Sequence, residues 1–366
     1  MTRNVIVTDT KYRAAASVIR ELGRADYRVI AAFDDAGLPV SARSKYVAER
    51  VKIVGNYADR LLSLARELDA VIFPCGARTT AIMAERREEF SPHTLISNNY
   101  ILQKANDKQA VAQAAREIGL RVPSELNIAN ADDFSYPVII KYVNGEGLGK
   151  TAAERYANAQ DRAEFDAAMA IMSKYPSFVS EYVAGSGFGV SVLMDRNHRA
   201  VRVFCHERLR EYPLSGGPSV MCRSVWCGSM ARDAVKLLRA LDFEGLAMVE
   251  FKGSPDDYAL LEINPRVWGS YPLSYLADAK FAEGFVRAAV GEMLPEVTEP
   301  QYKTGVCMQY FLSGARWALA TKSPLNMLKF AAETVNPRVK HGLWSWSDPK
   351  PGLAYLKNAM RSFNEN

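Results

Sequence analysis

Residues 245–266 read GLAMVEFKGSPDDYALLEINPR. Two runs of β-forming residues, Leu246–Lys252 and residues 258–264, flank the turn residues Gly253-Ser254-Pro255-Asp256-Asp257. The pattern predicts two antiparallel strands joined by a short loop. Side chains alternate along a strand, which puts Glu262 and Asn264 on one face. Glu250, on the neighbouring strand, can lie opposite them. Three oxygen ligands would then converge from two adjacent strands. Such a set suits a hard cation such as magnesium, which takes few ligands from protein and the rest from phosphate and water. The same pattern also fits solvent-facing carboxylates on a half-exposed sheet.

Working outward, Pro137–Tyr142 (PVIIKY) is an apolar strand carrying one lysine, Lys141. A lysine among apolar neighbours needs a partner. The glycine-rich segment Asn144-Gly145-Glu146-Gly147-Leu148-Gly149 follows directly. Its backbone N–H groups could surround phosphates, with Lys141 as a point cation; an edge-strand lysine reaching solvent is the alternative. Phe178–Met194 (FVSEYVAGSGFGVSVLM) reads either as a plain β-hairpin or as a strand and linker whose backbone reads an adenine edge. His206-Glu207-Arg208-Leu209-Arg210-Glu211 precedes Ser215-Gly216-Gly217. If extended, it puts Arg208 and Arg210 on one face, suited to a carboxylate or acyl phosphate. A surface ion-pair ladder with Glu207 and Glu211 fits equally, and His206 reads as structural.

The first ninety residues alternate strands (Asn4–Thr8, Tyr27–Phe33, Val51–Val54, Ala70–Phe73) with helices at 11–23 and 57–68. That alternation implies a parallel sheet covered on both faces. No GxGxxG follows the first strand, so a classical dinucleotide site is not supported. From about residue 100 the strands adjoin one another, the mark of an antiparallel α+β unit.

Composition sets the outer bounds. The 366 residues suffice for two to three domains at ~150 residues each. Hydrophobic residues make up 48% and charged residues 24%, a globular balance. The longest run free of Asp, Glu, Lys and Arg is Phe90–Gln103, 14 residues, too short and too polar for a membrane-spanning helix. The N-terminal MTRNVIVTDT lacks the parts of a secretory signal. Five cysteines without a CxxC pair fit a reducing compartment, so a cytoplasmic protein is expected. Lys and Arg exceed Asp and Glu by 46 to 41, and residues 301–366 alone carry nine against three. The body thus has no nucleic-acid signature. The basic tail reads as packing on the body, with contact to an anionic membrane the weaker alternative. No catalytic triad or cysteine nucleophile motif is readable.

Taken in order, these pieces resemble the ATP-grasp superfamily of ATP-dependent ligases, over roughly residues 1–295. Asn106-Asp107-Lys108 resembles the family's helix start whose lysine contacts ATP. Lys141 resembles the second ATP lysine, and Gly145, Gly147 and Gly149 the phosphate-covering loop. Glu181, Tyr182 and Val183 resemble the adenine-reading hinge. Glu250, Glu262 and Asn264 resemble the metal ligands, and Arg266 the arginine that steadies the transferred phosphate. NPRVWGS with REYPLSGG resembles stand-alone carboxylate–amine ligases related to carbamoyl-phosphate synthase and biotin carboxylase. Two stretches depart from the pattern. Ala184-Gly185-Ser186-Gly187 stands where an acidic ribose ligand often follows the hinge, and Glu146 puts a negative charge in the phosphate loop.

The resemblance implies an α/β fold. A parallel-sheet, Rossmann-like pre-ATP-grasp domain (1–98) would precede a small lobe with helical linker (99–183). A large lobe with the metal site (184–298) and a basic, partly helical extension (299–366) would follow. It implies ATP and Mg2+ or Mn2+ as cofactors and small-molecule carboxylate and amine substrates, joined through an acyl phosphate. Arg266, Arg208 and Arg210 would be catalytic. Bicarbonate activation and a non-catalytic nucleotide-binding role are the alternatives, and a homodimer is left open.

Overall fold

The computed structural model describes residues 3–143, 148–150, 154–214 and 217–364, with side chains through 360. The first sheet has four strands, β1 (Asn4–Val7), β2 (Arg28–Phe33), β3 (Val47–Lys52) and β4 (Val71–Phe73), all parallel in the order β3-β2-β1-β4. Both faces are covered, so its central strands are apolar throughout. Val5, Val7, Val29 and Phe73 face one core; Ile6, Ile30 and Ile72 face another with Leu61, Leu62 and Ala65 of the helix Tyr57–Glu67. β3 begins four residues before the expected Val51. Its sequence, VAERVK, alternates buried and exposed as an edge strand does, and the charged positions hide it from an apolar-run criterion.

The second sheet is antiparallel: β5 (Glu125–Leu126), β6 (Val138–Tyr142), β7 (Tyr156–Ala159) and β8 (Ser177–Glu181), in the order β5-β8-β6-β7. The helix Arg162–Met172 covers one face, burying Val138, Ile140 and Tyr142 against Phe165 and Met172. Lys141 therefore emerges on the other face, half-buried, on a strand paired on both sides rather than at a sheet edge.

The third sheet has seven strands: β9 (Ser186–Met194), β10 (Ala200–Glu211), β11 (Ser219–Val225), β12 (Gly245–Gly253), β13 (Tyr258–Asn264), β14 (Cys307–Gln309) and β15 (Val339–His341). Their order is β13-β12-β9-β10-β11-β14-β15, antiparallel except for β14 with β15. Two expectations change here. β8 and β9 join different sheets, so Phe178–Met194 is not a hairpin, and residues 182–185 carry the chain from one lobe to the other. The basic extension contributes strands β14 and β15 as well as the helices Phe311–Ala320, Pro324–Val335 and Lys350–Asn364. Three-residue strands are too short to show a period, which is why they were not legible.

The extension also clamps the first domain. Arg20 Nε and Asp348 Oδ2 lie 2.9 Å apart with side chains 3% and 0% exposed. Asp348 also accepts from Ser44 Oγ at 2.8 Å and Lys45 N at 2.9 Å, and Arg20 donates to the carbonyls of Leu343 and Asp348, each at 2.9 Å. A buried charge needs this complete pairing.

Candidate active site

The β12–β13 pair forms in the expected register, with Glu250 opposite Glu262 and Met248 opposite Asn264. Asn264 Nδ2 donates to Glu250 Oε1 at 3.1 Å and to Glu262 Oε1 at 3.2 Å, so all three side chains meet. Arg266 Nη2 donates to Asn264 Oδ1 at 3.2 Å. Lys108 begins the helix Lys108–Glu117, whose N-cap Asp107 accepts from Gln109 N and Ala110 N. That placement brings Lys108 Nζ to 3.2 Å from Glu262 Oε2.

Burial of two facing carboxylates divides their protonation. Burial raises the Glu250 carboxyl above its ordinary value, and the charge of Glu262 adds to this against the pull of Arg208. For Glu262 burial acts upward too, but the Lys108 ammonium and the bonds to Lys108 and Asn264 outweigh it, and the carboxyl is held low. Burial and the Lys108 charge push the Lys141 ammonium down to about 8, while Glu262 and Glu250 oppose the shift. Lys141 on the small lobe and the carboxylate pair on the large lobe thus feel one another.

Arg208 and Arg210 part company. The register of β10 against β11 shifts between them. Arg208 Nη2 reaches Glu250 Oε1 at 2.5 Å, and its Nη1 donates to Glu211 Oε1 at 3.1 Å. Arg210 instead pairs with Glu333 of the extension at 2.5 and 2.7 Å, and its guanidinium lies 4.3 Å from the centre of the Trp317 ring. The structure does not bring Arg210 to the carboxylate cluster. The ion-pair alternative is realised in part: Arg208 takes Glu211, and Glu207 takes Arg223 at 2.6 Å.

At the inter-lobe connection Val183 is buried and Tyr182 exposed. Gly185 has φ +109°, and a Cβ there would stand 2.3 Å from the Gly253 carbonyl oxygen, so only glycine lets the connection pass the β12–β13 turn. Glu181 lies 3.2 Å from Arg121, which also holds Asp257 at 2.7 Å. Arg121, Glu211 and Glu333 take part in these networks, yet sequence reasoning assigned none of them to the site. Arg121 and Glu333 lie far from their partners along the chain, so no local spacing marks them. Gly149 is described, with φ +68°; Gly145, Gly147, Ser215 and Gly216 lie outside the described residues.

His206 is structural. Its Nε2 lies 3.1 Å from Ser270 Oγ, and a Cβ at Gly189 would meet its ring at 2.2 Å. Burial, helped by the charge of Arg208, pushes its pKa from 6.5 to about 3. The folded state then binds fewer protons than the unfolded state between those values, so this group's contribution to stability is full above pH 6.5 and drains away as pH falls toward 3. An NMR titration is expected to show the ring neutral down to pH 4; a midpoint near 6 would contradict its burial.

Two carboxylates offer hard oxygen donors at one point, and their like charges favour a cation between them. Asn264 turns its amide nitrogen to both and its oxygen to Arg266, so it would add a third oxygen with its amide turned end for end. Among the described residues no group of three or more His, Cys, Asp or Glu side chains is arranged to hold a metal. The residues present therefore fit a magnesium-type ion.

The family model for the carbamoyl-phosphate synthase L chain, ATP-binding domain, matches residues 100–297. Biotin carboxylase from Campylobacter jejuni, solved as a β-γ-ATP complex, superposes with TM-score 0.62 at 16% identity, covering 84% of this chain and 74% of that one. L-amino acid ligase from Bacillus licheniformis gives TM-score 0.56 at 14% identity, with 80% and 75% covered. N5-carboxyaminoimidazole synthetase from Staphylococcus aureus, complexed with ADP, gives 0.58 at 14% identity, with 81% and 80% covered. At such identities the likeness establishes the fold, while the family match spans more than half of the 366 residues. The chain is accordingly a member of the carbamoyl-phosphate synthase L chain ATP-binding family, within the ATP-grasp superfamily.

Proposed function

We propose that the protein is a cytoplasmic ATP-dependent carboxylate–amine ligase working through an acyl phosphate. One observation carries the reading: Lys108, Glu250, Glu262, Asn264 and Arg266 form one connected cluster, with Arg208 on Glu250 and Lys141 within electrostatic reach. The five cysteines are unpaired, in keeping with a reducing compartment.

In this reading Lys108 and Lys141 neutralise nucleotide phosphates, and the backbone of 181–183 meets the adenine. Glu250, Glu262 and Asn264 would hold Mg2+ or Mn2+, Asn264 by turning its amide end for end. The ion, when bound, supplies charge neutralisation at the phosphates. Arg266 and Arg208 orient the substrate carboxylate. Its oxygen bonds to the γ-phosphorus as the bond to the β–γ bridging oxygen breaks, releasing ADP. The amine nitrogen then attacks the acyl carbon, phosphate leaves with the C–O electron pair, and the amine proton passes to water or phosphate. Catalysis is positioning and charge neutralisation, with no covalent enzyme intermediate.

The test is ADP release with ATP and magnesium across a panel of carboxylates, with hydroxylamine present. A hydroxamate from one acid class is the expected result. ATP turnover that requires only bicarbonate would move the protein to carboxylation chemistry. ATP binding without turnover on any acid or bicarbonate would overturn the ligase reading.

A further inference from the structure

The helix Pro324–Val335 is docked with its polarity reversed. Its apolar residues Leu325, Leu328, Ala332 and Val335 recur at helical spacing, a stripe that ordinarily faces a core. Here the stripe faces outward: no residue of the helix is buried, and Leu325, Leu328 and Val335 are 74%, 68% and 81% exposed. The opposite face holds the body. Glu333 takes Arg210, Thr334 Oγ1 accepts from Gln309 Nε2 at 3.3 Å, and Phe330 packs on Phe311 and over Gly314. The Arg210–Glu333 side chains are 8% and 17% exposed, so a half-buried ion pair sets the rotation of the helix. The outward stripe is thus a fixed feature of the fold.

The charges around it identify what covers it. Arg316, Lys322, Lys329 and Arg338 are exposed, and none of the four has an acidic partner among the described residues. From residue 301 on, the two described acids are both turned away, Glu333 to Arg210 and Asp348 to Arg20. An apolar stripe with Lys329 on its own helix, Lys322 just before it and Arg338 just after it matches an anionic bilayer surface, where aliphatic side chains enter the headgroup boundary and lysines meet lipid phosphates. A second copy of this chain, related by a two-fold axis, would set the same cations against one another.

We propose that this helix seats the enzyme on anionic membrane lipid. The active-site strand then lies one helix from the bilayer, because Arg210, which anchors the helix, is two residues from Arg208.

The experiment is sedimentation of the full-length protein with vesicles of phosphatidylcholine alone, or of phosphatidylcholine and phosphatidylglycerol at roughly three to one. Pelleting with the anionic vesicles only is expected. Two double variants, Leu325→Asp with Leu328→Asp and Lys322→Glu with Lys329→Glu, should each lower the bound-to-free ratio at least about tenfold. Both alter exposed side chains, so thermal melts matching wild type are expected. Absence of wild-type pelleting, or equal pelleting by wild type and both variants, would overturn the proposal. So would a solution dimer abolished by the leucine variants in a protein that ignores vesicles, which would assign the face to a second copy.

Discussion

Glu262→Gln is expected to abolish ADP formation while leaving the protein folded. The substitution keeps the shape of the side chain and removes its charge. In the proposed chemistry that charge holds the metal and pairs with Lys108, and loss of one such electrostatic contact costs about 2–4 kcal/mol of transition-state stabilisation. That corresponds to roughly a thirtyfold to thousandfold drop in turnover. The effect on stability should be small by comparison. Glu262 faces Glu250 across the strand pair, and the two share one hydrogen-bond donor, Asn264 Nδ2. Removing one of two like charges relieves their repulsion, but Lys108 and Asn264 hold the Glu262 carboxyl below its ordinary value, so its charge is net favourable in the folded state and the melting temperature should fall modestly. Steady-state ADP release beside a thermal melt separates the two effects. Wild-type turnover in this variant would sink the site assignment.

Asp348→Ala should produce the largest loss of stability. The carboxylate is fully buried and takes hydrogen bonds from Arg20, Ser44 and Lys45 N. Its removal leaves the Arg20 guanidinium buried with the carbonyls of Leu343 and Asp348 as its remaining acceptors. Breaking one partner of such a pair costs about 3–5 kcal/mol, since the remaining charge stays uncompensated. Replacing both partners, as Arg20→Met with Asp348→Leu, should recover part of that loss. Chemical denaturation of wild type and the two variants measures it. A loss below about 1 kcal/mol in the single variant would mean that the pair behaves like a surface ion pair.

The candidate site was legible in the sequence to the extent that local rules govern it. Alternation along β12 and β13 was enough to put Glu250, Glu262 and Asn264 together, because a two-strand unit with a short loop has few registers. Lys108 was marked by the resemblance of Asn106-Asp107-Lys108 to the ATP-grasp helix start. What escaped needed knowledge of which distant elements meet. Whether β8 turns back on β9 or leaves for another sheet is decided by packing, and FVSEYVAGSGFGVSVLM contains nothing local to distinguish them. Arg208 and Arg210 looked equivalent because alternation assumes an unbroken strand, and the register shift between them breaks that assumption. The pairing of Arg210 with Glu333 spans 123 residues and follows no spacing rule. The parallel first sheet was readable except at β3, where an edge strand's charged residues masked it.

The clamp between Arg20 and Asp348 also bears on synthesis. The two residues are 328 positions apart, so the parallel-sheet domain waits for a segment made 328 residues after Arg20. At about 5–20 residues per second the wait is on the order of tens of seconds. Until Cys307–Gln309 follows, β11 has no β14 beside it, and the open strand edge is a template for aggregation. Chaperone occupancy of the nascent chain should therefore persist until residue 348 has emerged. A chain stalled short of residue 348 lacks both the clamp and its buried counter-charge, which makes the segment around Asp348 a built-in check that the chain has been made that far.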